Sequence, residues 1–400
     1  MFHAKFVAFG CVVLGGLAVA TIGSRAAFAA KAEIKISDPR SVVMIVSRDS
    51  NEIGFMDIKS HNMVGKVFLG NNVNPHMVMM SPDGRYVVTG GTRANKAYII
   101  DTATLQLVKV IPVDFAPEHL AFSPDGRWYY QGNPEGDSIT VIDMVSLSKV
   151  KTISGFKEPL NVTFTPDGSK AYVGNYGAHW LGVVDVRRHE LMKKIQLADT
   201  PAFAKLDPDR YYADIKGVNV AMFSPDGKYL YAADGDLDVV SVIDPREDKV
   251  IKVMRVGKAP WRIYMGHDGK YAVTPNNGDQ TISIIDLKAN KVAATLEAGP
   301  DMVGVNFAGG KAFVISHSTG FVYVYNMETL RPAGRIKIGT NVNLETATTD
   351  TADQKLYLAD STENAVVIID AKTEAVEKIF NVGLFPWGTH IMDSKDNYCH

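Results

Sequence analysis

Cysteine is scarce in this chain of 400 residues, which contains only Cys11 and Cys399. Because Cys11 lies in an apolar N-terminal segment that we expect to be removed, the mature chain would keep one thiol. It could then form no internal disulfide, although a disulfide to a partner chain stays open. Covalent haem attachment needs a Cys-x-x-Cys-His motif, and Cys399-His400 lacks the first cysteine. The sequence therefore predicts no covalently bound haem.

A surplus of one charge is also missing. The chain carries 42 lysine and arginine residues against 44 aspartate and glutamate residues, and no stretch is strongly basic. This balance argues against nucleic acid as a partner. Beyond residue 30, no apolar run is long enough to span a bilayer, so we predict no membrane span in the mature chain.

Local catalytic and metal-binding motifs are absent as well. No Gly-x-Ser-x-Gly, Walker or Gly-x-Gly-x-x-Gly element stands between a predicted strand and a helix, and no histidines have a His-x-x-x-His spacing. Asp234, Asp236 and Asp238 resemble the start of a calcium loop, but the later glycine and glutamate are missing. We interpret them as a hairpin loop, and we predict neither a catalytic residue nor a metal site.

The N-terminus has the three parts of a secretory signal. Residues 1–5 give a short basic start, residues 6–22 form an uncharged apolar run, and Ala27-Phe28-Ala29 is a small-x-small cleavage pattern. We predict a signal peptide over residues 1–30 and an exported protein in a periplasm-like compartment. An uncleaved membrane anchor is the alternative, since the run is just long enough to span.

What the chain does have is an internal repeat. A β-type run recurs at spacings of 40 to 44 residues, with one wider spacing of 59. Its copies end at Asp57, Asp101, Asp143, Asp185, Asp244, Asp286, Asn326 and Asp370. A second element, Ser/Thr-Pro-Asp-Gly, falls between these marks at residues 81–84, 123–126, 165–168 and 224–227, with weaker copies at 267–269, 308–310 and 351–353.

Each repeat predicts an antiparallel meander of four strands. Proline presets the first central dihedral of a tight turn, glycine accepts a positive φ, and the β-branched and aromatic residues that follow favour strands. Repeats of about 40–45 residues with four strands are typical of β-propellers, whereas a sandwich keeps no fixed period and β-helix repeats are shorter. We predict a single all-β domain over residues 31–400, an eight-bladed β-propeller. Seven blades is the alternative if the weak repeat near Asn326 is irregular.

The two chain ends predict how the ring closes. Residues 41–68 supply only the second to fourth strands of a repeat, and residues 385–392 supply only a first strand. Together they would complete one blade and leave few exposed strand edges.

Three histidines precede or enter predicted innermost strands and are candidate ligands. His76 and His119 follow Pro75 and Pro117, and His390 follows Pro386 in the closing blade. Loops on one rim of a propeller could thus bring imidazoles around the central channel, where they could hold an anionic cofactor or a metal. The alternative is that they are ordinary loop and channel-lining residues.

The wide spacing of 59 residues maps to an insertion between blades at about residues 199–217. Phe203, Tyr211 and Tyr212 together with Arg210 give it a mix of residues that is common in protein interfaces. Two roles for this insertion are equally compatible with the sequence. It could be an arm that contacts a partner or covers the channel, or it could be a plain surface insertion.

The repeats resemble a known family of propellers. Tyr86-Val87-Val88-Thr89-Gly90, residues 171–175 and residues 270–276, with the partner run 241–244, are similar to the bacterial Tyr-Val-Thr-Asn propeller repeat. Within that group the whole chain most resembles the β subunits of hydrazine synthase. This resemblance implies a haem-free scaffold without a catalytic centre of its own. Its partners would be multihaem cytochrome-type subunits, which carry the haem in a hetero-oligomer that joins nitric oxide and ammonium into hydrazine. The compartment would be the anammoxosome lumen.

Two other resemblances stay open. Propellers that bind haem d1, in nitrite reductase and in haem d1 maturation, have eight blades. Likeness to them implies a d1-type haem or a metal held by His76, His119 or His390. A weaker resemblance, to lactonase- or lyase-like propellers, implies a hydrolase that uses rim residues and a divalent ion.

Overall fold

The computed structural model describes residues 36–198 and 216–397. The predicted signal segment lies outside the described residues. So does most of the insertion, including Phe203, Arg210, Tyr211 and Tyr212, and its proposed contact with a partner stays a prediction.

Helical structure is almost missing from the described ranges. It amounts to two three-residue 3-10 turns, Pro39–Ser41 and Pro134–Gly136. Neither these nor any other described segment forms a helix with the length and apolarity needed to cross a membrane.

The described chain folds into eight antiparallel sheets of four strands each, which we number as blades 1 to 8. Blade 1 contains β1 (Val42–Ser47), β2 (Glu52–Asp57), β3 (Met63–Phe68) and the late strand β32 (Pro386–Ile391), and blade 2 contains β4 (Pro75–Met80), β5 (Tyr86–Gly91), β6 (Lys96–Asp101) and β7 (Gln106–Pro112). Blade 3 contains β8 (Leu120–Phe122), β9 (Trp128–Asn133), β10 (Ser138–Asp143) and β11 (Ser148–Ser154), and blade 4 contains β12 (Pro159–Phe164), β13 (Lys170–Asn175), β14 (Trp180–Asp185) and β15 (Glu190–Gln196). Blade 5 contains β16 (Ala221–Phe223), β17 (Leu230–Asp234), β18 (Val239–Asp244) and β19 (Lys249–Arg255), and blade 6 contains β20 (Tyr264–Met265), β21 (Tyr271–Asn276), β22 (Thr281–Asp286) and β23 (Lys291–Glu297). Blade 7 contains β24 (Met302–Ala308), β25 (Lys311–Ser316), β26 (Phe321–Asn326) and β27 (Arg331–Lys337), and blade 8 contains β28 (Leu344–Thr349), β29 (Lys355–Asp360), β30 (Ala365–Asp370) and β31 (Val376–Phe380). The prediction of eight blades is confirmed, and seven is excluded.

Burial within a blade follows its distance from the channel. In blade 2, β5 is buried along its whole length and the middle of β6 is buried, whereas β7 is exposed at its first five positions. The middle strands are covered on both faces by neighbouring blades, so they are buried at nearly every position rather than at alternate ones. The outer strand has no such cover, and lysines alternate there with exposed apolar residues.

Tyrosines on the second strands of three blades tie each blade to the next. Each hydroxyl contacts a residue that has a positive φ in the turn between the third and fourth strands of the following blade. The pairs are Tyr130 with His189 (2.7 Å), Tyr172 with Asp248 (2.5 Å) and Tyr231 with Asn290. These rings bury a large apolar area while the hydroxyl keeps a polar partner.

The ring closes through the two chain ends, as the sequence predicted. β32 pairs antiparallel with β1, with Met44 opposite His390 and Ile45 opposite Thr389. The order β3-β2-β1-β32 therefore makes blade 1 from residues more than 300 positions apart. Because the first strand of this blade comes from the C-terminus, the pairing seals the ring without a free inner edge.

The C-terminal tail, residues 393–397, folds back beneath the ends of the inner strands. Asp396 is fully buried and accepts hydrogen bonds from the Phe307 backbone N–H (2.7 Å) and the Thr349 hydroxyl (2.8 Å). Its other oxygen lies 2.7 Å from His267 Nε2. The tail thereby joins blades 6, 7 and 8 at one end of the channel.

Candidate functional site

The central channel contains a cavity of about 570 Å³ beside the inner strands of blades 2 to 6. The loops between second and third strands and between blades form one end, the loop rim, where His119 and Arg262 line the cavity. The Ser-Pro-Asp-Gly turns form the other end, the turn rim, where Pro124 and Pro166 line it and the tail residue Asn397 also reaches it. A cavity of this size is in the usual range for a small-molecule site.

Three aromatic rings from three blades meet at the loop rim. His76 stands at the start of β4 and His119 directly before β8, and their ring centroids are 5.7 Å apart. Trp387 of β32 lies 5.5 Å from His76. These three side chains come together because they occupy equivalent positions in the repeat, at or directly before the start of the innermost strand of each blade. The structure therefore brings two of the three predicted histidines together.

Arg48 adds a cation to this cluster. Its guanidinium carbon lies 4.2 Å from the centre of the Trp387 ring, and its Nε and Nη2 donate to Asn74 Oδ1 at 3.2 and 2.8 Å. Stacking on an indole and a forked pair of hydrogen bonds hold a guanidinium in one orientation. Such a group suits a ligand with carboxylate side chains.

Glu118 is the ionisable group that the surroundings perturb most clearly at this rim. Burial raises the pKa of Glu118 to about 7, although the charges of Arg48 and Arg262 oppose the shift. Glu135 adds to the rise through its negative charge. A carboxyl group with such a pKa exchanges a proton near neutrality, which suits a general acid or base.

His390 lies deeper than the other two candidates. It is the fifth residue of β32, whereas Trp387 occupies the rim position of that strand. His390 lines a narrow cavity with His76, Thr346 and Asn397, and burial lowers the pKa of its imidazole to about 3. It is therefore neutral at physiological pH.

A histidine and a buried carboxylate also pair on the loop rim of blades 7 and 8. His317 Nδ1 donates to the Leu344 carbonyl at 3.0 Å and lies 3.4 Å from Glu345, whose other oxygen accepts from Ser361 at 2.5 Å. The hydrogen bond to Glu345 raises the pKa of His317. The repeat positions put both residues on this rim, but no local pattern predicts their pairing, because they lie 28 positions apart in different blades.

Comparisons with known proteins agree with this architecture. A family model described as the cytochrome D1 haem domain matches residues 18–119, about a quarter of the chain, and this stretch includes His76 and His119. No curated protein matches the sequence. Among solved structures, the dihydro-haem d1 dehydrogenase NirN, in complex with DHE, superposes with a TM-score of 0.73 at 18% identity, covering 89% of this chain and 76% of NirN. The two share one fold.

A second solved structure supports the same fold with a different role. Hydrazine synthase from Kuenenia stuttgartiensis superposes with a TM-score of 0.57 at 22% identity, over 76% of this chain and 97% of the matched chain. The comparisons thus include a haem d1 enzyme and a chain of a hydrazine-forming one. At these identities they show the propeller, and the Tyr-Val-Thr-Asn repeat type stays a prediction.

Proposed function

We propose that this protein binds a d1-type haem non-covalently at the loop rim of its channel. The carrying observation is the convergence of His76, His119 and Trp387 at the channel mouth, within the stretch that matches the cytochrome D1 haem domain. This observation supports the d1-type proposal.

The donor set at the rim fits such a group. Imidazole is a common axial ligand of haem iron, and His76 is the candidate that lines both the aromatic cluster and the narrow inner cavity. Arg48, held on the Trp387 ring, and Arg262 offer cations for the carboxylates of a macrocycle. When bound, the haem would supply redox chemistry or would be the molecule under modification.

The residues around the cluster would serve that ligand in distinct ways. His76 would hold the iron and His119 would face it from the neighbouring blade. Glu118, whose pKa lies at about 7, would give or take a proton beside the ring. The apolar wall of Met77, Met79 and Met222 would keep water from the channel side.

A spectroscopic titration tests this proposal. We expect the purified protein to shift the visible bands of added haem d1 with saturation near one equivalent. We expect His76→Ala to weaken binding at least ten-fold because the imidazole that would hold the iron is lost. His61→Ala is the matched control, since His61 pairs with Glu377 in a turn away from the loop rim. Unchanged haem d1 spectra with the wild-type protein would contradict the proposal.

A second candidate function, a haem-free subunit of an exported multihaem redox complex, is favoured by the outer wall of the ring. The eight outermost strands carry fourteen lysines and arginines against three glutamates, although the whole chain is slightly acidic. Exposed Val150, Met192 and Ile251 add apolar area in blades 3 to 5. Lysines also protect strand edges from aggregation, but such a basic wall suits an acidic partner protein.

Purification from the native source distinguishes the two candidates. A subunit should elute in size-exclusion chromatography as a hetero-oligomer with c-type cytochrome absorbance, and raised salt should dissociate it, since exposed charge pairs are screened. Elution as a free monomer without a cytochrome partner at low salt would exclude the subunit role. The haem titration would be unaffected by that result.

A further inference from the structure

A cluster of metal-type donor atoms lies on the loop rim between blades 4 and 5. It consists of His179, in the loop between β13 and β14, and Asp234 and Asp236, at and beyond the end of β17. One donor atom from each residue lies within 4.8 Å of the other two. These residues come from different blades than His76 and His119, so the cluster is separate from the aromatic cluster at the channel mouth.

The backbone fixes the two carboxylates. Asp234 is fully buried, and its Oδ1 accepts from the backbone N–H groups of Asp236 and Leu237, both at 3.2 Å. Asp236 Oδ2 accepts from the Gly217 N–H at 2.9 Å, and the Gly235 N–H donates to the Gly217 carbonyl at 2.9 Å. Asp234 thus fixes the loop onto itself and Asp236 ties it to Gly217, so little reorganisation is needed to bind an ion.

Asp234 also orients the imidazole. Its Oδ2 lies 2.8 Å from His179 Nδ1, which places the Nδ1 proton between them and directs Nε2 toward Asp236 Oδ2, 3.8 Å away. A carboxylate that fixes one ring nitrogen while the other points to a cation is a recurrent arrangement at metal sites. Two ligands on one tetrahedral ion lie about 3.4 Å apart, so a shift of a few tenths of an ångström would close the site.

His267 on the turn rim has the same residue types in a different arrangement. Its Nδ1 lies 2.8 Å from Asp353 and its Nε2 lies 2.7 Å from Asp396. Both ring nitrogens there lie within hydrogen-bond distance of a carboxylate oxygen, so no nitrogen and oxygen are spaced as two ligands of one ion. At His179 the Nε2 atom and Asp236 Oδ2 are 3.8 Å apart, close to that spacing, and this difference in geometry points to a ligand.

We propose that His179 and Asp236 hold a first-row divalent cation of the Zn²⁺ type, with Asp234 as the residue that positions the imidazole. One imidazole and one carboxylate leave further coordination positions for water, which makes the site exchangeable rather than structural. Two aspartates against one histidine also give the cluster the negative charge that attracts a cation. The site joins blades 4 and 5 at the loop rim, away from the aromatic cluster at the channel mouth.

Zinc titration against a competing chromophoric indicator tests the site. We expect the wild-type protein to bind one Zn²⁺ that His179→Ala and Asp236→Asn each weaken at least ten-fold. Asp234→Asn, which keeps the shape but loosens the imidazole, should weaken it by about ten- to a hundred-fold. His61→Ala is the control, because its imidazole meets a single exposed carboxylate, and it should change zinc affinity less than two-fold.

Zinc X-ray absorption of the loaded wild-type protein separates this site from any at the C-terminal thiol. We expect nitrogen and oxygen neighbours only. A sulfur shell, or equal zinc affinity in the wild-type and His179→Ala proteins, would overturn the proposal. Circular dichroism and melting curves of each variant show that a lost affinity is not a lost fold.

Discussion

Replacing Asp396 with alanine is expected to lower the free energy of unfolding by about 3–5 kcal/mol. The change leaves the Phe307 N–H, the Thr349 hydroxyl and His267 Nε2 without their shared acceptor in a fully buried place. Breaking a buried pair from one side costs far more than losing an exposed one, because the remaining partner stays desolvated. Urea unfolding followed by tryptophan fluorescence measures the loss.

Asp393→Ala is the matched control for the tail. Asp393 pairs with Arg40 at 2.6 Å, but both side chains are more than half exposed, so the pair is worth less than about 1 kcal/mol. Equal losses for the two variants would contradict the idea that Asp396 anchors the tail.

The same contact makes stability depend on pH. Burial alone would lower the pKa of His267, but the hydrogen bond and charge of Asp396, with Asp353, outweigh it and raise the pKa above its ordinary value of 6.5. Stability from a raised pKa is fully present below the ordinary value and is lost as pH rises through the folded-state pKa. The difference in unfolding free energy between wild type and His267→Gln should therefore shrink above neutrality. A constant difference from pH 5 to pH 9 would contradict this.

Gly174→Ala is expected to destabilise the ring by about 3 kcal/mol or more. A Cβ there would lie 2.4 Å from the backbone carbonyl oxygen of Asn219, in the next blade. Backbone cannot swing aside as a side-chain tip can, so blades 4 and 5 would have to separate locally. A Cβ added at Gly132 would likewise lie 2.5 Å from the Leu160 carbonyl oxygen. Close approach between blades, rather than turn conformation, therefore demands glycine at both positions.

Gly304→Ala is the control for this prediction. Gly304 is also a buried strand residue, but its added Cβ would meet only the Ile315 Cδ1 atom at 3.3 Å. A flexible side chain can move by that amount, so the loss should stay below about 1 kcal/mol. Thermal melts and soluble yield of the two variants measure the contrast, and similar melts would refute the role assigned to Gly174.

The repeat made most of the fold predictable from sequence. Each Ser-Pro-Asp-Gly turn and each Ile-Asp strand end is a local signal, and the incomplete first and last repeats predicted the pairing of β32 with β1. The positions of His76 and His119 followed from the same periodicity. Their place in the repeat was enough to set them on one rim, although binding by either stays a prediction.

Other features depend on contacts that no local pattern encodes. His179 and Asp234 are 55 positions apart, and His267 and Asp396 are 129 apart. The sequence around Asp234 and Asp236 predicts only a hairpin loop, because His179, the third residue of the cluster, belongs to another segment. The depth of His390 follows from its pairing with Met44 in β1, and the register of this pairing shifts between Val46 and Ser47, opposite Trp387.

The division of blade 1 between the chain ends also governs the order in which the molecule can assemble. On the ribosome, β1 to β31 emerge before their last partner, and until residues 386–391 are made the nascent chain is an arc whose two terminal edges lack neighbours. This final pairing is slow, because the chain entropy of closing so long a loop is lost before the contacts between β1 and β32 form. A truncated or prematurely released chain would therefore be an open arc with unpaired, aggregation-prone strand edges rather than a smaller ring. We expect chaperones to bind the chain mainly before residues 386–391 have been synthesised.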